Sequence, residues 1–187
     1  MSKSNSWLPS RRRSDYHLSQ ALRSLVAEYS ASWRSDPIDR LIDFGCGSMP
    51  YSDLLSPICN EYIGCDLTGS GARIEFEPGA HVSVASNSAE VVVSFQVLEH
   101  VEDIGWYLGE VKRMLRPSGL LLLSTHGTWP YHPHPHDSRR WTREGLELDL
   151  KINGFEVEAI HPLVGPGAWT LMFQFGSIAL FLGKLGL

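Results

Sequence analysis

The chain is predicted to be an α/β protein built on a doubly wound, mostly parallel sheet in three layers. Three observations predict it. Short apolar runs at residues 41–44, 61–67, 88–96 and 120–125 alternate with stretches of helical periodicity, the pattern of strand-helix-strand units. The runs VVVSF and LLLL are too apolar to keep a wet face, as expected of parallel strands covered on both sides. Finally, the first run breaks at Gly45-Cys46-Gly47, a tight turn leading into a helix start. With 187 residues and 43% apolar content, one well-buried core is the expectation.

The elements follow in order. Residues 1–15, rich in serine and arginine, read as a flexible arm without the apolar segment of a secretory signal; its Arg11, Arg12 and Arg13 read as a solvated run. Leu18, Leu22, Leu25, Val26 and Tyr29 recur at spacings of three and four, predicting an amphipathic helix over 16–33 ahead of the first strand. After the glycine turn come a short helix at 51–55, a second strand at 61–67 and a third at 72–77. The fourth strand occupies 88–96. A helix follows with Ile104, Tyr107, Leu108, Val111 and Leu115 on one face, Pro117 and Gly119 end it, and 120–125 is the fifth strand. A long loop at 126–141 should lie beyond the carboxyl end of that strand, where ligands bind in such sheets. Thr142 is placed to cap a helix stopped at Asn153-Gly154, FEVEAI to form a sixth strand, and AWTLMFQF a last one. The domain is expected over 16–161. Residues 162–187 form an apolar segment packed on the domain or on a lipid surface, too often interrupted by proline and glycine to be a first choice for a membrane span.

Charge and cysteine content narrow the function. A net charge of -5 argues against a nucleic-acid partner. Three cysteines without CxxC spacing suggest neither a disulfide framework nor a thiolate zinc site, so a reducing, cytoplasmic setting fits, with peripheral membrane contact left to the C-terminal segment. Asp66 stands 21 positions after Gly45, close to the offset at which a carboxylate meets the ribose hydroxyls of a nucleotide held at the first turn.

Taken together, LIDFGCG, Asp66, VVVSFQVLEHV, LRPSG before LLLLST, PHDSRRWTREGL and NGFEV resemble the class I S-adenosylmethionine-dependent methyltransferases, with their Rossmann-like fold, in the ubiquinone/menaquinone-biosynthesis-like (type 11) branch. The resemblance covers residues 40–160 and implies methyl transfer from S-adenosylmethionine to a small-molecule, glycan or lipid-linked acceptor. It further implies that Asp43, Gly45, Cys46 and Gly47 hold the methionyl half of the cofactor. Asp66 would take the ribose hydroxyls, Leu67 would flank the adenine, and Phe95 and Gln96 would lie beside the methionyl part. Two positions depart from the family pattern: Met49-Pro50 replaces the third glycine, and the acid near the adenine amine falls at Pro78, where Glu77 would substitute.

If the acceptor is a hydroxyl, His126, directly after the fifth strand, is the first candidate base and His100 the second. His132, His134 and His136 alternate with Pro133 and Pro135; the simpler reading is a proline-stiffened lid anchored by Asp137 and Arg140, and no metal ligand is assigned. A nicotinamide-dependent oxidoreductase is the first rival, but the turn reads GCGSMP rather than GxGxxG and Tyr107 has no lysine four positions on. The second is a methyltransferase-like module without catalysis.

Overall fold

The computed structural model describes residues 16–33, 37–133, 136–167, 169–170 and 173–174. The expected arm, His134 and the end of the apolar segment lie outside the described residues. The chain divides into two compact units, Met1–Ala31 with His161–Leu187, and Ser32–Ile160.

In the first unit, α1 (Tyr16–Ser32) buries Leu18, Leu22, Val26 and Ser30, four positions apart along one stripe. Tyr29 Oη lies 3.2 Å from His161 Nε2. A last strand is expected over AWTLMFQF; its described residues, 169–170 and 173–174, are helical. Trp169 N–H donates to Gly165 O at 3.0 Å and the Trp169 and Phe173 rings stack at 4.1 Å. Two aromatic residues four positions apart meet as helical neighbours do, and the helical state of the described residues overrides the β-propensity of the run. Among the described residues no helix is long and apolar enough to cross a membrane.

The second unit holds β1 (Ile38–Phe44), α2 (Ser52–Leu55), β2 (Cys59–Leu67), β3 (Ile74–Phe76), β4 (Ala89–Phe95), α3 (Ile104–Met114), β5 (Leu115–Ser124) and α4 (Arg143–Ile152). The five strands form one sheet in the order β3-β2-β1-β4-β5, and every pairing is parallel. Strand order reverses between β1 and β4, the switch point where ligands settle in open α/β sheets. In register, Phe44 pairs with Cys65 and Phe95 with Ser124, so the strands end along one edge and hand their next residues to a common site.

The core is aromatic beneath that edge. Phe44 stacks on Tyr107 at 4.5 Å and meets Phe76 at 4.9 Å, while the buried Tyr107 hydroxyl donates to Phe44 O at 2.9 Å and pairs with Ser94 Oγ at 2.8 Å. Helix α3 starts on Asp103, whose carboxylate accepts from Trp106 N–H. It stops at Met114, earlier than the predicted Pro117. Asn87 and Ser88 N–H groups take the carbonyls of Arg113 and Met114, and β5 starts at once, with Pro117 and Gly119 inside an irregular stretch opposite Ala89 and Val91. Thr142 caps α4 by accepting from Gly145 N–H.

The expected sixth strand is absent. Residues 155–160 carry no strand pairing among the described residues, although Phe155 and Val157 pack on the core. Alternation in FEVEAI reports that packing, not a ladder of hydrogen bonds. The sheet is accordingly all parallel.

Candidate functional site

The glycine turn follows β1 directly. Gly45 has φ +79°, and a Cβ there would lie 2.5 Å from Val97 Cγ2, so the β1 turn and the segment after β4 touch backbone to side chain at this point. Gly64 on β2 permits a second close approach: a Cβ on it would stand 2.9 Å from Cys46 Sγ and 3.1 Å from Met49 Sδ. Cys46 is thereby turned into the core, its thiol pushed up to about 12 by burial and then by the Asp43 and Asp66 carboxylates. Only its backbone belongs to the turn. Met49 itself has φ +56°, the left-handed region, at the position where the sequence pattern leads one to expect glycine.

Four amides of this turn are already engaged. Gly45 and Cys46 N–H donate to Cys65 O at 2.8 and 3.1 Å, Gly47 N–H to Asp66 Oδ2 at 2.5 Å, and Met49 N–H to Cys46 O at 2.7 Å. What the turn presents instead is negative charge. Asp66 ends β2 and also accepts from Leu67 N–H through Oδ1 at 2.7 Å, which leaves a lone pair on each oxygen for another donor. Leu67 beside it is exposed. Asp43 is buried and accepts a hydrogen bond from Tyr62 Oη; burial raises its carboxyl to about 6 against that bond, with Asp66 adding to the rise.

Across the switch point, Phe95 meets Tyr51 edge to face at 4.9 Å. Gln96 takes φ +58°, strained for a residue with a Cβ, and is held by Ser124: its N–H donates to Ser124 O at 3.0 Å and its Nε2 to Ser124 Oγ at 2.9 Å. Its Oε1 is buried and has no partner among the described residues. An orphaned acceptor there points to a donor on a bound molecule.

The loop after β5 packs over Glu99, a residue the sequence reading passed over within LEHV. Glu99 is fully buried; its Oε2 accepts from Thr125 Oγ1 at 2.8 Å and its backbone carbonyl from Ser138 and Arg139 N–H. Burial raises its carboxyl. His126 is 7% exposed, stacked on Trp129 at 4.7 Å, with Nε2 turned to Glu99 Oε1 at 3.2 Å. Desolvation, then the charges of His132, Arg140 and His100, push its imidazole down to about 3, so it is uncharged at neutral pH. His100 is half-buried, with Nδ1 on the His136 carbonyl. Asp137 and Arg140 anchor the loop as expected, through Nη1–Oδ1 and Nη2–Oδ2 contacts of 2.5 and 2.7 Å. Of the described alternating histidines, the His132 ring meets His100 and His126, whereas exposed His136 faces Glu102. Of the sequence-predicted residues, Asp43, Gly45, Gly47, Asp66, Leu67, Phe95 and Gln96 thus line one edge of the sheet, and His100 and His126 meet at Glu99. Glu77 is exposed past β3.

Comparison with known proteins follows the same lines. Residues 14–162 match the profile of a family described as a methyltransferase domain. A Mycolicibacterium smegmatis protein bearing the name S-adenosylmethionine-dependent methyltransferase is 30% identical over 134 residues, 63% of this chain and 52% of the relative; this chain therefore spans about half the length of that relative. A ubiquinone biosynthesis O-methyltransferase of Azorhizobium caulinodans is 24% identical over 179 residues, 78% of this chain and 71% of its own. A solved S-adenosylmethionine-dependent methyltransferase from Aquifex aeolicus shares the fold with a TM-score of 0.58 at 13% identity, over 80% of this chain and 92% of its own. Another, from Mesorhizobium loti, superposes with a TM-score of 0.56 at 16% identity, over 80% of this chain and 84% of its own.

Proposed function

Because this chain belongs to the methyltransferase-domain family, we propose that it transfers the methyl group of S-adenosylmethionine to a small-molecule, glycan or lipid-linked acceptor. One observation carries the reading: the turn after β1 has four amides engaged internally and offers the carboxylates of Asp43 and Asp66. A dinucleotide pyrophosphate needs free amides and no carboxylate such as Asp43 directly under the turn. A ligand with ribose hydroxyls and an ammonium group suits the two carboxylates, the hydroxyls at Asp66 and the cation at Asp43.

In this reading Asp66 accepts the two ribose hydroxyls on its remaining lone pairs, Leu67 covers the adenine, and Gln96 Oε1 accepts from the ammonium group near Asp43. Gly45 and Gly47 bring the main chain against the methionyl part, and Phe95 walls it. When bound, the cofactor supplies an electrophilic methyl group for in-line displacement. The chain's residues mainly orient the two reactants and exclude water, effects worth about 7–11 kcal/mol in favourable systems. For a hydroxyl acceptor, His126 is the candidate base after β5; burial keeps it uncharged at neutral pH and, by pushing it down to about 3, also makes it a weak proton acceptor. The relatives named as O-methyltransferases support transfer to oxygen.

Calorimetric titration of the protein with S-adenosylmethionine, its demethylated product and NADH tests the proposal. Micromolar-range binding of the first two is expected. Binding of NADH alone would overturn it.

A further inference from the structure

We propose that Glu99, His100 and His132 form a binding site for one divalent first-row transition ion of the Zn2+ type, next to but separate from the cofactor turn. One ligand atom from each of the three lies within 4.8 Å of the others. This site takes His132 alone from the histidine-proline repeat and joins it to Glu99 and His100, and it stands independently of the methyl-transfer reading.

Two observations carry it. The first is Glu99 Oε1, which belongs to a fully buried side chain and has no hydrogen-bond partner among the described residues. His126 Nε2 is only 3.2 Å away but is not aligned to donate. A buried carboxylate oxygen left unsatisfied is costly, and a cation in front of it removes that cost. The second is the orientation of the two imidazoles. His100 gives Nδ1 to the His136 carbonyl, and Nε2 faces Glu99 Oε1 at 4.0 Å. His132 Nδ1 lies 3.1 Å from Pro130 O and 3.3 Å from Arg140 Nη2, within 3.5 Å of Asp137 Oδ2, while its backbone N–H donates to the same carboxylate at 2.9 Å. The carbonyl on His100 Nδ1 leaves that ring's lone pair on Nε2, which is how metal-ligating histidines are supported; His132 Nδ1 stands between a donor and an acceptor, so its ring is positioned by the loop without its tautomer being fixed.

The dimensions agree. Bonds of roughly 2.0–2.2 Å place tetrahedral ligands about 3.4 Å apart. The 4.0 Å between Glu99 and His100, and the separations of up to 4.8 Å within the trio, therefore close to bonding geometry by side-chain adjustments of about 1 Å, within the reach of torsions about half-buried rings. Two imidazoles and one carboxylate suit Zn2+ and its neighbours rather than Mg2+ or Ca2+, and three protein ligands leave a position open for an oxygen ligand. Because Thr125, Ser138 and Arg139 also bind Glu99, an ion there would tie the loop to the end of β5.

The test uses untagged full-length protein prepared without chelator. Co2+ is titrated while its visible absorption is followed, and Zn2+ is then added in competition. The expected result is one equivalent of Co2+ with the intense bands of a low-coordinate nitrogen and oxygen site, displaced by Zn2+. His100→Ala and His132→Ala, both partly exposed, should each weaken binding by more than about tenfold with an unchanged circular dichroism spectrum. His81→Ala and His136→Ala should bind as wild type does. Absence of stoichiometric metal in the wild type, or equal binding by His132→Ala, overturns the proposal. S-adenosylmethionine titration of the same variants reads the cofactor turn separately, so failure of one reading is distinguishable from failure of the other.

Discussion

The turn after β1 and the loop after β5 stand at the same edge of the sheet but are built by opposite means. The turn is made of backbone: positive φ at Gly45, Gly47 and Met49, amides closed onto Cys65 and Asp66, and a Cβ-free Gly64 that lets Cys46 and Met49 settle against β2. The loop is made of side chains: Glu99, His100, His126, His132 and the Asp137–Arg140 pair define it. Backbone geometry tolerates few residue types at a position, so the turn fixes one ligand class. Side-chain geometry can be exchanged residue by residue, so the loop can change its chemistry without disturbing the turn.

Four substitutions break or sharpen that contrast. The largest effect is expected from Gly45→Ala, whose Cβ would press on Val97 at a φ that disfavours alanine; urea denaturation should show a loss of about 2–4 kcal/mol, and cofactor binding should vanish. Unchanged stability would mean that the turn is softer than its geometry implies.

Asp43→Asn separates charge from shape. The Asp43 carboxyl, raised from 3.8 to about 6 mainly by burial, holds its proton more tightly folded than unfolded. Its contribution to stability is therefore full below the unfolded value and is lost as pH rises through about 6. Above that pH the variant should be more stable than wild type by about 2–3 kcal/mol, with the two denaturation curves converging towards pH 4. It should nevertheless bind the cationic cofactor more weakly.

Asp137→Ala addresses the other half. Without the Asp137 carboxylate Arg140 loses its ion-pair partner and the loop its anchor, and amide hydrogen exchange across residues 136–141 should speed up by at least about tenfold, while S-adenosylmethionine affinity stays within about threefold of wild type. A large loss of cofactor affinity would show that the two halves are not separable. The smallest effect is expected for Met49→Gly: relief of the left-handed conformation is set against greater freedom of the unfolded chain and lost contact with Gly64, for a net stability change below about 1 kcal/mol.

The same contrast explains what was legible in the sequence. Strands β1, β2, β4 and β5 could be read because each is a local apolar run, and the turn could be read because its demands fall on consecutive residues. The 21-position step to Asp66 is set by one strand-helix-strand unit. Glu99 could not be read: Thr125 and His126 lie more than 25 positions away, and only the packing of the loop reveals that this acid, in an ordinary LEH stretch, is fully buried. Tyr62 under Asp43 is hidden for the same reason, 19 positions distant on the neighbouring strand. FEVEAI and AWTLMFQF misled because alternation and β-propensity report burial, whereas a strand also needs a partner. Met49 is the instructive departure: the residue differs from the expected glycine, yet the backbone keeps a glycine-like conformation.

The central claim is that an acidic, backbone-built turn binds S-adenosylmethionine through Asp66. Calorimetric titration of S-adenosylmethionine into Asp66→Ala tests it most directly. Removing a carboxylate that receives two hydroxyl donors and also holds Gly47 should weaken binding by about a hundredfold or more. Affinity equal to that of the wild type would contradict the account.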